Sequence, residues 1–117
     1  MAAVEQRRDG DVTVFLAMGA LTSGGGGEGE LRRAIRTAVD AGARRVVINL
    51  QEVVDIDSSG VAELASAHIT TTNLGGTLFL CCLSTKLKHI FGITRLEDVF
   101  AIYATEAEAV NASREKR

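Results

Sequence analysis

The sequence predicts an α/β fold: one small, mostly parallel sheet with an antiparallel N-terminal hairpin and about four helices. Three observations carry this. After Gly10, apolar β-branched runs alternate with helical patterns as strand, helix, strand, helix, strand, helix, strand, helix, an order that gives parallel strands joined by crossovers. The run Val46-Val47-Ile48-Asn49-Leu50 is almost continuously apolar, as in a strand buried on both faces. The 117 residues are 46% hydrophobic and 24% charged, which suits one domain with its own core and excludes disorder for the bulk of the chain.

The elements follow in order. Residues 4–8 and 12–17 read as strands around the turn signal Asp9-Gly10, a hairpin. Residues 21–29 form a glycine-rich loop, and the four glycines 24–27 predict mobility in the free protein. A helix is expected over 28–41, with Leu31, Ile35, Ala38 and Val39 on one face and Gly42 at its end. The buried strand 45–50 comes next, then a helix over 59–73 closed by Gly75-Gly76. Residues 77–83 form another apolar strand. Ser84 caps a short helix over 85–91 that buries Leu87, Ile90 and Phe91 and keeps its lysines in water. Residues 99–103 make the last strand, and Thr105-Glu106-Ala107-Glu108 is a capping box that opens a C-terminal helix. The tail from 113 to 117 is expected to fray. The chain has no proline, no internal repeat and no linker, so residues 1–117 read as a single domain with a core over about 12–110.

Composition narrows the function. The net charge is -2 and acids lie among the basic residues, so no basic stripe exists to hold nucleic acid. No apolar run approaches the ~20 residues of a membrane span, and the N-terminus lacks a signal-peptide pattern. The chain reads as cytoplasmic, without membrane insertion. Cys81 and Cys82 are adjacent; on a strand they would point to opposite faces, so they read as small buried hydrophobes and not as a disulfide. No cofactor or metal is implied, since a metal site would want C-x-x-C spacing and further ligands.

Three segments are site candidates. Gly24 to Gly29 formally matches G-x-G-x-x-G, but the loop starts well beyond its strand, and Glu28 and Glu30 stand where phosphates would sit. The segment from Lys86 to Ile93 reads as a small amphipathic helix covering the sheet. Asp57-Ser58-Ser59-Gly60 is the third, between the buried strand and a helix at the carboxyl end of the sheet, where sites of open α/β folds collect. Asp and Ser there are good helix caps. Equally, a phosphate on a serine would meet the free N–H groups of the helix start. Two hydroxyls and a carboxylate stand where one cap would suffice. Hydrolase chemistry is disfavoured: His68 lies too far along the same helix, His89 is on another, and no G-x-S-x-G elbow exists. Both histidines read as ordinarily solvated helix side chains. No catalytic residue is assigned and the chain is not read as an enzyme. At Gly60 the missing Cβ keeps the backbone accessible, so Gly60→Val is expected to impair partner binding more than folding.

Val46 to Leu50 followed by Val54-Asp55-Ile56-Asp57-Ser58-Ser59-Gly60-Val61 resembles the core of STAS domains, and more narrowly bacterial anti-sigma factor antagonists of the stage II sporulation protein AA type. Gly75 to Cys81, Ser84 to Leu96 and Phe100 to Val110 match in kind, so the resemblance covers about Val12 to Val110. It implies helices packed mainly against one face of the sheet. It also implies a phosphorylation-controlled partner switch. Such proteins bind an anti-sigma factor that is also a serine-protein kinase; the kinase phosphorylates the position of Ser58, the partner is released, and a serine phosphatase restores binding. The implied partner surface comprises Asp57, Ser58, Ser59 and Gly60, with Thr22 and Ser23 of the neighbouring loop; the protein itself would be a monomer or weak homodimer. This chain departs from the pattern at Leu21-Thr22-Ser23, where an acid is usual, and at Arg95, where glycine is common. The alternative within the family is a non-switching scaffold or a soluble accessory subunit of a lipid ABC transporter.

Overall fold

Alternation of burial along the strands sorts the apolar side chains into two layers, one on each face of a single sheet. A computed structural model describes residues 3–24 and 29–115. Its strands are β1 (Ala3–Asp9), β2 (Val12–Leu21), β3 (Arg45–Ile56), β4 (Thr77–Cys81) and β5 (Ala101–Tyr103). Its helices are α1 (Glu30–Asp40), α2 (Ser58–Asn73), α3 (Thr85–Ile93) and α4 (Glu106–Glu115), with a 3-10 turn at Leu96–Asp98. The sheet order is β1-β2-β3-β4-β5; β1 and β2 pair antiparallel and every other pair is parallel.

Phe15, Ala17 and Leu21 of β2, Val46, Ile48 and Leu50 of β3, and Leu78 and Leu80 of β4 face α1, α2 and α3. The alternate residues Val12, Val14, Val47, Phe79 and Cys81 face Ala109 and Val110 of α4. Three helices therefore cover one face and one helix the other. The apolar stripe Leu31, Ile35, Ala38 and Val39 is the buried side of α1, as its spacing predicts. The capping box of α4 also forms: Thr105 N–H donates to Glu108 Oε1 at 3.1 Å, and Glu108 N–H donates to Thr105 Oγ1 at 3.2 Å.

Several boundaries differ from the sequence expectation. α1 begins at Glu30; residues 25–28, and with them most of the glycine run expected to be mobile, lie outside the described residues. β3 continues six residues beyond Leu50, because the ten-residue β2 pairs with it as far as Leu21↔Ile56. β5 starts at Ala101 because the chain from Leu96 is coiled in the 3-10 turn, leaving Val99 exposed. Of the tail expected to fray, residues 113–115 are helix, and residues 116–117 lie outside the described residues. Ser113 is fully buried with its hydroxyl on Val110 C=O at 2.7 Å, and Arg114 bridges Asp9 at 3.0 Å and Asp11 at 3.4 Å. The Asp9 carboxylate does most to raise the Arg114 pKa, so this bridge clamps the charged guanidinium.

Candidate functional site

β2 and β3 outrun the rest of the sheet. The last β3–β4 pair is Asn49↔Cys81, yet β3 runs on to Ile56 before turning into α2. The start of α2 therefore stands at the carboxyl end of the sheet, beside the exit of β2. Asp57 occupies the N-cap in an extended conformation, and its Oδ1 accepts the N–H groups of Ser59 at 2.9 Å and Gly60 at 3.2 Å. Its Oδ2 accepts the Ser23 N–H at 3.0 Å and the Ser23 hydroxyl at 3.4 Å. One carboxylate thus ties the start of α2 to the β2–α1 connection. The Ser23 N–H does most to hold the Asp57 carboxyl below its usual range; the Gly60 and Ser59 N–H groups act the same way, against the opposing pull of desolvation.

Ser58 is the first residue of α2, and both it and Ser59 are exposed. The sequence reading offers the free helix N–H groups to a phosphate. The structure corrects this: Asp57 already takes the donors at Ser59 and Gly60. A phosphate on Ser58 would instead stand beside an ionised carboxylate, adding about −1.5 to −2 charges there.

Gly60 is buried, and an added Cβ would lie 2.1 Å from Leu21 O and 2.7 Å from Ile56 Cγ1. This overturns the expectation of an accessible backbone. Gly60 is the point where α2 packs directly on the end of β2, so a side chain there acts on folding first.

The structure adds Glu63, which sequence reasoning missed. α1 has Gly29 at its N-cap and no side-chain cap of its own. Glu63 supplies one from α2: its Oε2 accepts the Arg32 N–H at 2.9 Å and its Oε1 the Gly29 N–H at 3.4 Å. The only sequence signal is the glycine cap itself, which lacks a side-chain acceptor and so calls for one from elsewhere. Thr22, Ser59 and Glu63 line a cavity of about 280 Å³ between the β2–α1 connection and α2. Thr22, Ser23, Asp57, Ser58, Ser59 and Gly60 are thereby brought together at one end of the molecule.

On the other side of Ser58 a groove of about 340 Å³ runs between α2 and α3, with Ile56 and Val61 on one wall and Ile90, Thr94 and Leu96 on the other. Ile93 at the end of α3 is 69% exposed. Ser84 caps α3 as expected, accepting the Leu87 N–H at 3.2 Å. Lys86 is not simply solvated; it pairs with Asp55 at 3.2 Å, and this contact does most to lower the Asp55 pKa. Arg95, next to the groove, has φ +61, a left-handed conformation that favours glycine.

The histidines are not joined to the serines. His68 is half-buried, in edge contact with Phe100 at a ring distance of 5.4 Å, so its expected ordinary solvation is corrected. His89 is exposed on α3, as expected. Cys82 also departs from expectation: β4 ends before it, and it packs on the same side as Cys81.

A mixed sheet of this order, with an Asp-Ser-Ser-Gly turn leading from its third strand into its second helix, is the architecture of a STAS domain. The STAS domain family model matches residues 4–109, and the chain belongs to this family. Solved structures of similar fold include a putative anti-sigma factor antagonist from Thermotoga maritima, with TM-score 0.86 and 19% identity over 95% of this chain and 94% of that one. An anti-sigma factor antagonist from Mycobacterium paratuberculosis gives TM-score 0.85 and 21% identity over 97% and 95%. The unphosphorylated form of the anti-sigma factor antagonist SpoIIAA gives TM-score 0.72 and 23% identity over 96% and 98%; a phosphorylated form from Bacillus is similar too. At these identities the likeness is one of fold. No helix among the described residues is long and apolar enough to cross a membrane.

Proposed function

We propose that this protein is a cytoplasmic anti-sigma factor antagonist that works by binding and not by catalysis, with its partner affinity set by phosphorylation of Ser58. The observation that carries the reading is the position of Ser58. Its hydroxyl is exposed at the first turn of α2, on the rim of the apolar groove between α2 and α3 and next to the ionised Asp57. Apolar groove walls and the exposed Ile93 suit a protein partner. Phosphate at that rim opposes docking through like-charge repulsion with Asp57 and through desolvation. The partner is an anti-sigma factor that is also the serine kinase, and a serine phosphatase reverses the modification. Thr22 and Ser23 extend the same surface, held to it by the Ser23–Asp57 hydrogen bonds.

The test begins with a pull-down from the native cytosol, using the full chain as bait. Recovery of a histidine-kinase-like ATPase supports this reading; recovery of an ABC transporter ATPase in its place overturns it. With the captured kinase and ATP, intact-mass analysis should find one phosphate on the wild type, none on Ser58→Ala and most of it retained on Ser59→Ala. Labelling that survives Ser58→Ala and vanishes with Ser59→Ala refutes the assignment.

A further inference from the structure

β4 leads into two adjacent cysteines that pack on one side of the sheet. Strand alternation would send them to opposite faces, but Cys82 has φ +64, a left-handed turn rare outside glycine. Both side chains consequently belong to the apolar cluster under α4, Cys81 within it and Cys82 packed against it. Neither cysteine is in a disulfide. Their access differs. Cys81 is fully buried, whereas Cys82 is half-buried and lines an open crevice of about 650 Å³ with Asn49, Gln51, Ser84 and Thr105. This crevice lies at the carboxyl ends of the strands, where the β4–α3 connection leaves toward one face and the β5–α4 connection toward the other. Such a switch point is where small molecules reach open α/β sheets.

We propose that Cys81 and Cys82 are an oxidisable dithiol that closes to a vicinal disulfide, with Cys82 as the point of entry for a low-molecular-weight disulfide. The Cys82 thiol loses its proton and its sulfur attacks the oxidant. The oxidant's S–S bond breaks, a mixed disulfide forms on Cys82, and one thiolate leaves and takes up a proton. Cys81 then loses its proton and attacks the Cys82 sulfur. The mixed disulfide breaks, the second thiolate leaves and is protonated, and the Cys81–Cys82 bond remains. In sum two protein thiols give up two electrons and two protons, and one disulfide is reduced to two thiols. Burial holds the Cys81 thiol protonated, which makes the second step the slow one. The bond stiffens the connection that carries Leu83 and Ser84 into α3.

The experiment treats the full chain with oxidised glutathione at pH about 8, an ordinary condition for thiol–disulfide exchange. Intact mass, iodoacetamide trapping and tandem fragmentation then read the outcome. The expected product is a monomer lighter by two hydrogens, alkylated at neither cysteine, with the link mapped across 81–82 and reversed by a dithiol reductant. Cys81→Ala is expected to stop at a glutathione adduct on Cys82, and Cys82→Ala to take up none. Mapping of the wild-type product stands by itself if either variant folds poorly. A wild type that ends as a stable glutathione adduct, as a disulfide-linked dimer, or with both thiols still open to alkylation overturns the proposal.

Discussion

Gly60→Ala adds a single carbon at the tightest contact around the site. Built on the present backbone, that carbon lies 2.1 Å from Leu21 O, 2.7 Å from Ile56 Cγ1 and 2.9 Å from Leu21 Cβ. Ordinary contact needs ~3.5 Å, so the start of α2 must move off β2 by about 1 Å or more. The neighbour cannot yield, because Leu21 O is backbone inside the β2–β3 ladder and already accepts the Asp57 N–H at 3.2 Å. Overpacking of this kind costs about 1–3 kcal/mol, at the upper end where backbone is the obstacle. Better helix propensity returns at most ~1 kcal/mol. The net loss is about 2 kcal/mol, out of a total stability of ~5–15 kcal/mol. At ~4 °C per kcal/mol the melting temperature falls by about 8 °C. Gly60→Val falls further, since its branched side chain adds two more carbons to the same gap. The chain has no tryptophan, so thermal melts are followed by far-ultraviolet circular dichroism. Gly24→Ala is the control, because nothing lies within 4 Å of a Cβ there. A Gly60→Ala protein melting within ~2 °C of the wild type would refute the packing argument. Unchanged stability with lost partner binding would return Gly60 to the interface.

Glu63→Ala removes the carboxylate that caps α1 from α2 and is expected to cost about 1 kcal/mol. The Arg32 amide should exchange with solvent markedly faster; unchanged exchange at Arg32 counts against the cap. Arg95→Gly relieves a left-handed backbone at φ +61 and is expected to stabilise by about 0.5–1 kcal/mol, so a lower denaturant midpoint would contradict it. The Asp57 carboxyl has its pKa lowered in the fold, chiefly by the Ser23 N–H. Its contribution is therefore complete above the ordinary aspartate value and is lost as pH falls through the lowered folded-state value. The melting-temperature gap between wild type and Asp57→Ala should stay constant near neutrality and close in acid below ~3.9; a gap that widens in acid reverses the sign.

Much of this protein is legible in its residue pattern, because the signals involved are local. The stripe Leu31, Ile35, Ala38 and Val39 marks the buried side of α1, and Ser84 and the Thr105–Glu108 box mark where α3 and α4 begin. Asp57-Ser58-Ser59-Gly60 announces itself as a helix start at a strand's carboxyl end, and the loop holding Thr22 and Ser23 is found beside it as the family resemblance implies. Wherever the deciding partner is remote in sequence, the pattern stops short. The length of β3 depends on β2 lying alongside it as far as Leu21. The order of Ser113 depends on α4 packing and on Arg114 reaching Asp9 and Asp11.

The same division runs through the site. Sequence alone determined which residues stand at the start of α2, since capping chemistry and the strand before it are read within a few positions. Only the tertiary structure decided what they do there. Asp57 spends its oxygens on Ser23, Ser59 and Gly60, so the Ser59 and Gly60 donors of the helix start are already taken. Gly60 proves to be a packing contact because Leu21 O comes from thirty-nine residues away. Glu63 is drawn into capping α1 for the same reason, and the left-handed turn at Cys82 puts two thiols on one side of the sheet. Hydrogen-bond saturation and steric contact depend on distances across the fold, and residue spacing along the chain carries no measure of those distances.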